Sequence, residues 1–466
     1  MKTRIKILGA WLLIAVLTGG AFLAGEKLRA TQGTYLVASS GASVQTTALL
    51  KLTPELLPVT PGPGDQGPSE DRELVGTVLK LLKTHYVEPI TAEHETAMAR
   101  GAVRGMLESL DDPDSRFLDP TEEKLLADAA AGRLHGIGAV LALKRQKVGE
   151  LDTIKLIVVT PMPGSPAEKA NVKPGDSVTH IDGKWIARYD PFKEANLEEL
   201  AKAARNKEID WFTYHKSYEA AYNKLKESFN IPEALQTLTS KSSGEISLRV
   251  ERAGQKEPID LKLNCGKTEV DPVISRTLRQ GIVYIRISQF NKRAIKEFAA
   301  EMERAQAARA KALVLDLRGN PGGLMDAAAN IAGKITGGGV MAQIRDNSGL
   351  HPVTAPRTRA LSMPVAVLVN SGTASVAELV AGTLRDRGTA TIVGAKTFGD
   401  GLTQTPLLLR DGSAAILTTG KMLTAKGFDF NGKGLQPDRA VPEDESRGDT
   451  QLEEAEKIVL AKLGRA

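Results

Sequence analysis

One cysteine, Cys265, stands in 466 residues. A single thiol excludes an intramolecular disulfide framework and any cysteine-based zinc or iron–sulfur cluster, so the fold rests on its apolar core. Charge of one sign is also missing. The 61 basic and 56 acidic residues leave a net +5, with no Lys/Arg run longer than two, and nucleic-acid binding has no basic cluster to rest on. No pair of close histidines with a carboxylate suggests a catalytic metal, and no cofactor is expected. Aromatics are scarce at 4%, yet nine of them, from Trp185 to Phe229, fall within 45 residues. The remaining composition, 42% apolar and 25% charged, is that of a globular chain of two or three domains.

Lys2, Arg4 and Lys6 precede an apolar run of 18 residues, Ile7 to Ala24. That is the form of an export signal. Its length also reaches the lower edge of a membrane span, so a cleaved signal and an uncleaved anchor with a cytoplasmic amino end both fit. Thr, Ser, Gly and five prolines between residues 30 and 70 then read as a flexible tether. From Glu73 to Leu110 the apolar residues recur at helical spacing on either side of Pro89, which predicts two helices.

Between His135 and Leu263 the pattern becomes short strands. Gly136-Ile137-Gly138 opens one, Gly164-Ser165-Pro166-Ala167 starts a short helix, and Asp182-Gly183 is a strong hairpin signal. The order fits a PDZ-type module, in which a glycine-rich loop offers N–H groups to a peptide's terminal carboxylate. Within it, Asn196 with Glu199 reads as a helix cap. Trp211, Tyr214, Tyr218, Tyr222, Leu225 and Phe229 form one helical stripe, expected to dock on the module's own surface, with a partner or membrane-surface contact as the alternative. Eight basic and eight acidic residues between Arg188 and Asn230 argue against a cationic membrane helix.

After residue 265 strands and helices alternate, implying an α/β core. Three glycine-punctuated turns follow its strands: Asp316 to Gly323, Asn370 to Glu378, and Gly394 to Gln404. The first exposes backbone N–H groups at a helix start, and the second sets Ser375 among small residues where a helix dipole favours an oxyanion.

Together these turns resemble those of the carboxyl-terminal processing, or tail-specific, proteases. Asp112 to Leu118, Gly136 to Gly138, Gly164 to Asp176, Leu315 to Gly323 and Asn370 to Glu378 match that family's motifs in order. The resemblance implies an α+β and α/β multidomain chain: a helical N-terminal region, a PDZ module with a helical insertion, and a ClpP/crotonase-like protease core. The divisions are a signal or anchor (1–30), a linker (31–71), the helical region (72–131), the PDZ domain (132–265) with its insertion at about 186–240, the core (266–445) and a C-terminal helix (446–466). It further implies Ser375 as nucleophile, an oxyanion hole from the backbone of Gly322, Gly323 and Val376, and peptide capture by Gly136, Ile137 and Gly138.

The departure is at the base. The family's Thr-Phe-Gly-Lys-Gly-x-x-Gln reads Thr397-Phe398-Gly399-Asp400-Gly401-Leu402-Thr403-Gln404 here. Asp400 replaces the lysine that takes the serine proton, whereas Gln404, which helps to place that base, is kept. A carboxylate with an ordinary pKa near 3.9 is about three units too acidic for this task at neutral pH. Lys396, Lys421 and Lys426 are the candidates for rescue. Two functions stay open: a cell-envelope serine endopeptidase acting on protein C-termini, and a pseudoprotease that binds peptides as a scaffold or adaptor. The expected partners are protein or peptide C-termini, the membrane through the N-terminal segment, and a second copy in a homodimer.

Overall fold

The computed structural model describes residues 69–149, 151–443 and 448–464. The predicted signal or anchor and most of the predicted linker lie outside the described residues. Among those described, no helix is long and apolar enough to cross a membrane.

Helices α1 (Ser69–His85) and α2 (Ala92–Glu108) flank Pro89, as the periodicity predicts. Thr91 caps α2 by accepting the His94 N–H, satisfying one of the amides that a helix start leaves without a partner. Strand β1 (Arg116–Leu118) follows, and then α3 (Pro120–Ala130), opened by a reciprocal cap between Asp119 and Glu122. Leu107 packs on Phe117 and Ala415, so the helical arm is joined to a sheet formed much later in the chain.

After β2 (Arg133–Leu134), an antiparallel sheet is built from β3 (Ala139–Val148), β4 (Leu151–Pro161), β5 (Ser177–Ile181) and β6 (Lys184–Trp185), with the short α4 (Pro166–Lys169) between β4 and β5. Asp182 and Gly183 have φ of 48° and 76° and join β5 to β6, the left-handed pair that a two-residue hairpin requires. Four helices come next: α5 (Pro191–Glu194), α6 (Leu197–Arg205), α7 (Trp211–Lys226) and α8 (Ile231–Ser240). Then β7 (Gly244–Glu251) and β8 (Ile259–Cys265) complete the order β3-β4-β5-β7-β8. Helix α8 supplies Ile231, Leu235 and Leu238 to the core of this sheet.

Two expectations change in the helical segment. Asn196 does not cap α6: its φ is 50° and its side chain makes no cap bond, because its backbone turns left-handed to link α5 to α6 and donates back to Lys193. The aromatic stripe of α7 is only partly docked. Tyr214 is buried and Tyr218 half-buried against α6, Trp211 and Tyr222 remain exposed, and Phe229 lies past the end of α7 and packs on the core of the antiparallel sheet.

A short strand β9 (Thr268–Glu269) pairs with β2. The second large sheet comprises β10 (Val273–Thr277), β11 (Ile282–Ile287), β12 (Ala312–Asp316), β15 (Val365–Val369), β16 (Ala390–Gly394) and β19 (Arg439–Ala440), in that order, parallel from β11 onward. Helices α9 (Lys292–Ala307), α10 (Met325–Thr336) and α11 (Val376–Asp386) cover one face, and α12 (Thr450–Leu463) covers the other. Burial on both faces explains runs such as Val365 to Val369, apolar at every position. A third, antiparallel sheet holds β1, β18 (Ala414–Thr424), β13 (Gly339–Asp346) and β14 (Gly349–Ala355), with β17 (Leu402–Leu408) also paired to β18.

Candidate active site

The three glycine-punctuated turns leave the carboxyl ends of β12, β15 and β16, which are adjacent parallel strands, so the topology brings them together. The first is fixed by charge. Asp316, almost fully buried, accepts from the Tyr284 hydroxyl at 2.7 Å and from Arg318, whose other nitrogen reaches Asp449 at the head of α12. Burial pushes the Tyr284 phenol up, with Asp316 adding to the effect. Beyond it, Gly322 and Gly323 take φ of 106° and 134°. A Cβ on Gly323 would lie 2.1 Å from the Phe290 carbonyl oxygen, and one on Gly322 would lie 2.8 Å from the Ser375 Cβ.

Ser375 stands immediately before α11 with φ 56° and ψ −128°. That is a costly backbone for a residue with a side chain, held by bonds on every side. Asn370 accepts the N–H of Gly319 and of Gly372 on one oxygen. Thr373 donates to the Leu317 carbonyl, and Ala374 N–H reaches the Asn320 carbonyl. All but the Gly372 bond tie the serine turn to the glycine turn. Asn320 also takes the Gly322 N–H at 2.8 Å, which removes that amide from the predicted oxyanion hole. Of the three amides expected there, Gly323 and Val376 remain, Val376 in the first turn of a helix where no intrahelical acceptor exists.

Glu378, one turn into α11 and fully buried, joins the second and third turns. Its Oε2 accepts the Ser375 N–H at 3.0 Å and the Asp400 N–H at 2.8 Å. Its Oε1 accepts the Gly399 N–H at 2.9 Å and the Thr397 hydroxyl. Burial pushes the Glu378 carboxyl up to about 7 against these four donors. One carboxylate oxygen therefore sets Asp400 beside the serine turn.

The third turn differs in character. Burial, then the charges of Asp114 and Glu378, push the partly buried Asp400 carboxyl well above its ordinary range, opposed by the Leu402 N–H. Gln404 is 1% exposed, and neither its Oε1 nor its Nε2 has a hydrogen-bond partner. Its cross-strand neighbour Thr418 has a buried hydroxyl without a partner as well. Lysines do not fill the gap: Lys396 and Lys426 are exposed, and Lys421 is turned to Asp429 at 3.5 Å.

A model of peptidase family S41 matches residues 281–441, which contain all three turns. The carboxy-terminal processing protease CtpA of Bacillus subtilis is 31% identical over 72% of this chain, and the match spans 62% of that protein's length. The carboxyl-terminal-processing protease of Synechocystis sp. is 30% identical over 78% of this chain and 74% of its own. This chain belongs to the carboxyl-terminal processing proteases. The fold agrees: the solved photosystem II D1 C-terminal processing protease superposes with a TM-score of 0.58 at 26% identity, over 84% of this chain and 98% of that one.

Within this family frame, sequence reading missed Glu378, Asn370 and Asn320 as organisers of the site. Only the Ser-x-x-Glu spacing at the head of α11 hinted at the first of them. The antiparallel module also bears on the turns. A Cβ on Gly372 would meet Pro174 at 3.1 Å, and Ala374 is buried with Val159 and Met162 of that module. In its glycine-rich loop, Ile137 N–H donates to the Leu238 carbonyl at the end of α8. That amide is committed inside the module and is not presented to a carboxylate.

Proposed function

We propose that this protein captures unstructured polypeptide ends outside the cytoplasm and acts on them as a slow serine-type endopeptidase. Ser375 Oγ attacks the scissile carbonyl carbon as its proton passes to water, the oxyanion takes hydrogen bonds from the N–H groups of Gly323 and Val376, the C–N bond breaks as the amine leaves with a proton, and water then hydrolyses the acyl-serine. The observation that supports this reading is Ser375 itself, a buried serine with a positive-φ backbone, in a turn bonded to both neighbouring turns. The antiparallel module, read as a PDZ domain with Gly136 and Gly138 at its carboxylate loop, brings the substrate end. The apolar amino-terminal run exports the chain and tethers it to the membrane.

Slow turnover follows from Asp400. Loss of the base from a serine hydrolase typically costs on the order of 10⁴ to 10⁶ in rate. That same residue favours a second reading, a pseudoprotease that keeps peptide binding and serves as a scaffold. The two separate in one assay with a peptide ending in a free apolar carboxylate. Cleavage that disappears in Ser375→Ala supports the peptidase, and binding without any cleavage supports the scaffold.

A further inference from the structure

Three buried polar atoms without partners lie on the Asp400 side of Ser375, and others occur at Ser177, Arg188, Arg286, Ser288, Gln289 and Asn291. Gln404 carries an amide oxygen and nitrogen, both buried and unbonded, in a side chain that is 1% exposed. Thr418, directly across the strand pair from it, carries a third such atom. Residues opposed in an antiparallel pair project to the same face, so these groups form one patch. The turn before β1 bounds the patch and links it to Asp400: the Ser115 hydroxyl accepts the Thr418 N–H at 3.0 Å, and the adjacent Asp114 lies close enough for its charge to act on Asp400. Glu378 Oε2 in turn sets the Asp400 backbone beside that of Ser375.

A buried amide with neither end satisfied is costly, and beside a reactive serine it can be relieved by a group that arrives. The group has to donate several hydrogen bonds to oxygens and carry positive charge toward Asp400. A primary ammonium does so with three donors around one compact charge, whereas a guanidinium needs a flat fork of acceptors. Metal ions are poorly served, since no cluster of three His, Cys, Asp or Glu suited to one occurs among the described residues. The protein's own nearby lysines point elsewhere, as described above.

We propose that Asp400, Gln404 and Thr418 form a receptor for the side-chain ammonium of a lysine in the bound polypeptide, which makes lysine next to the reacting bond the selected feature of the substrate. The inference rests on the peptide-binding reading above and gives it a sequence preference. Asp400, whose burial favours its neutral form, then gives up its proton to solvent as the ammonium arrives and recognises substrate as the paired carboxylate, in a place where a base would otherwise act on Ser375.

The test uses the full chain and fluorescence-labelled unstructured peptides in which one lysine is walked along the sequence, each compared with its norleucine and arginine counterparts. At one position lysine should bind about tenfold or more tighter than norleucine and clearly tighter than arginine. Asp400→Asn and Gln404→Leu should each shrink that gap to about twofold or less. Free n-butylammonium should compete for the lysine peptide, and n-butanol should not. Equal affinity of lysine and norleucine peptides at every position, or a lysine gap unchanged in Asp400→Asn, overturns the proposal. If no peptide binds, the peptide-binding reading itself fails. The receptor then stands or falls on whether n-butylammonium raises the thermal midpoint of the unmodified protein and leaves that of Asp400→Asn unmoved.

Discussion

The two sides of Ser375 are built to different standards. On the side of the glycine turn, Asp316, Arg318, Asn320, Asn370 and Thr373 each have partners, two of the bonds crossing between turns, while Ser288, Gln289 and Asn291 in the segment packed behind it each keep one buried atom without a partner. On the side of Asp400, a buried amide and a buried hydroxyl have none, and a carboxyl sits among other carboxyls. Polar networks of the first kind rigidify a site, while incomplete ones mark a place where something is missing or expected. On the proposed reading, the nucleophile and oxyanion half keeps its form in this family member, and the base half serves another chemistry.

The largest expected effect breaks the intact half. Gly322→Ala would drive a methyl group into the Ser375 Cβ, and turnover should fall by up to about a thousandfold, as when an oxyanion donor is lost, in any form of the protein that cleaves. Repairing the altered half comes next. Asp400→Lys should raise peptide cleavage by about a hundredfold or more, since general-base catalysis contributes about 10² to 10⁴. Third, Glu378 spans both halves, and Glu378→Gln puts an NH₂ group against N–H donors. Urea unfolding should report a loss of about 3 kcal/mol, with stability unchanged overturning its assigned role.

How much of this was legible in sequence follows from where the information lies. The three turns could be read because each is contiguous and punctuated by glycine, and Asp400 because it breaks a short pattern. Glu378 could not be read, since its four donors come from Ser375, Thr397, Gly399 and Asp400, brought together only by the parallel order of β15 and β16. Asp176 stands in the sequence only as the end of a motif, although it is buried and held by Arg252, just past β7 and 76 residues on. The hairpin of β13 and β14 also escaped, because its exposed second strand carries no sustained apolar alternation.

Two smaller effects sharpen the contrast. The folded Glu378 carboxyl titrates near 7, above its ordinary 4.5. Its protonated form is therefore favoured in the fold, and the stability it contributes is complete below about pH 4.5 and is lost as pH rises through about 7. Glu378→Gln should flatten that fall in unfolding free energy measured across the interval. A slope that persists would assign it to another group. Least in size, Gln404→Leu should stabilise the unliganded protein by about 1 kcal/mol, because it removes a buried amide that has no partner. Destabilisation instead would mean that the amide is satisfied.

The most direct test is a side-by-side cleavage assay of the unmodified protein, Asp400→Lys, and Asp400→Lys with Ser375→Ala, on one peptide with a free apolar carboxylate. A complete nucleophile and oxyanion half beside an altered base half predicts slow or no cleavage, then a gain of about a hundredfold or more, then its abolition when the serine is removed. Asp400→Lys no faster than the unmodified protein, or cleavage that survives the loss of Ser375, would contradict it.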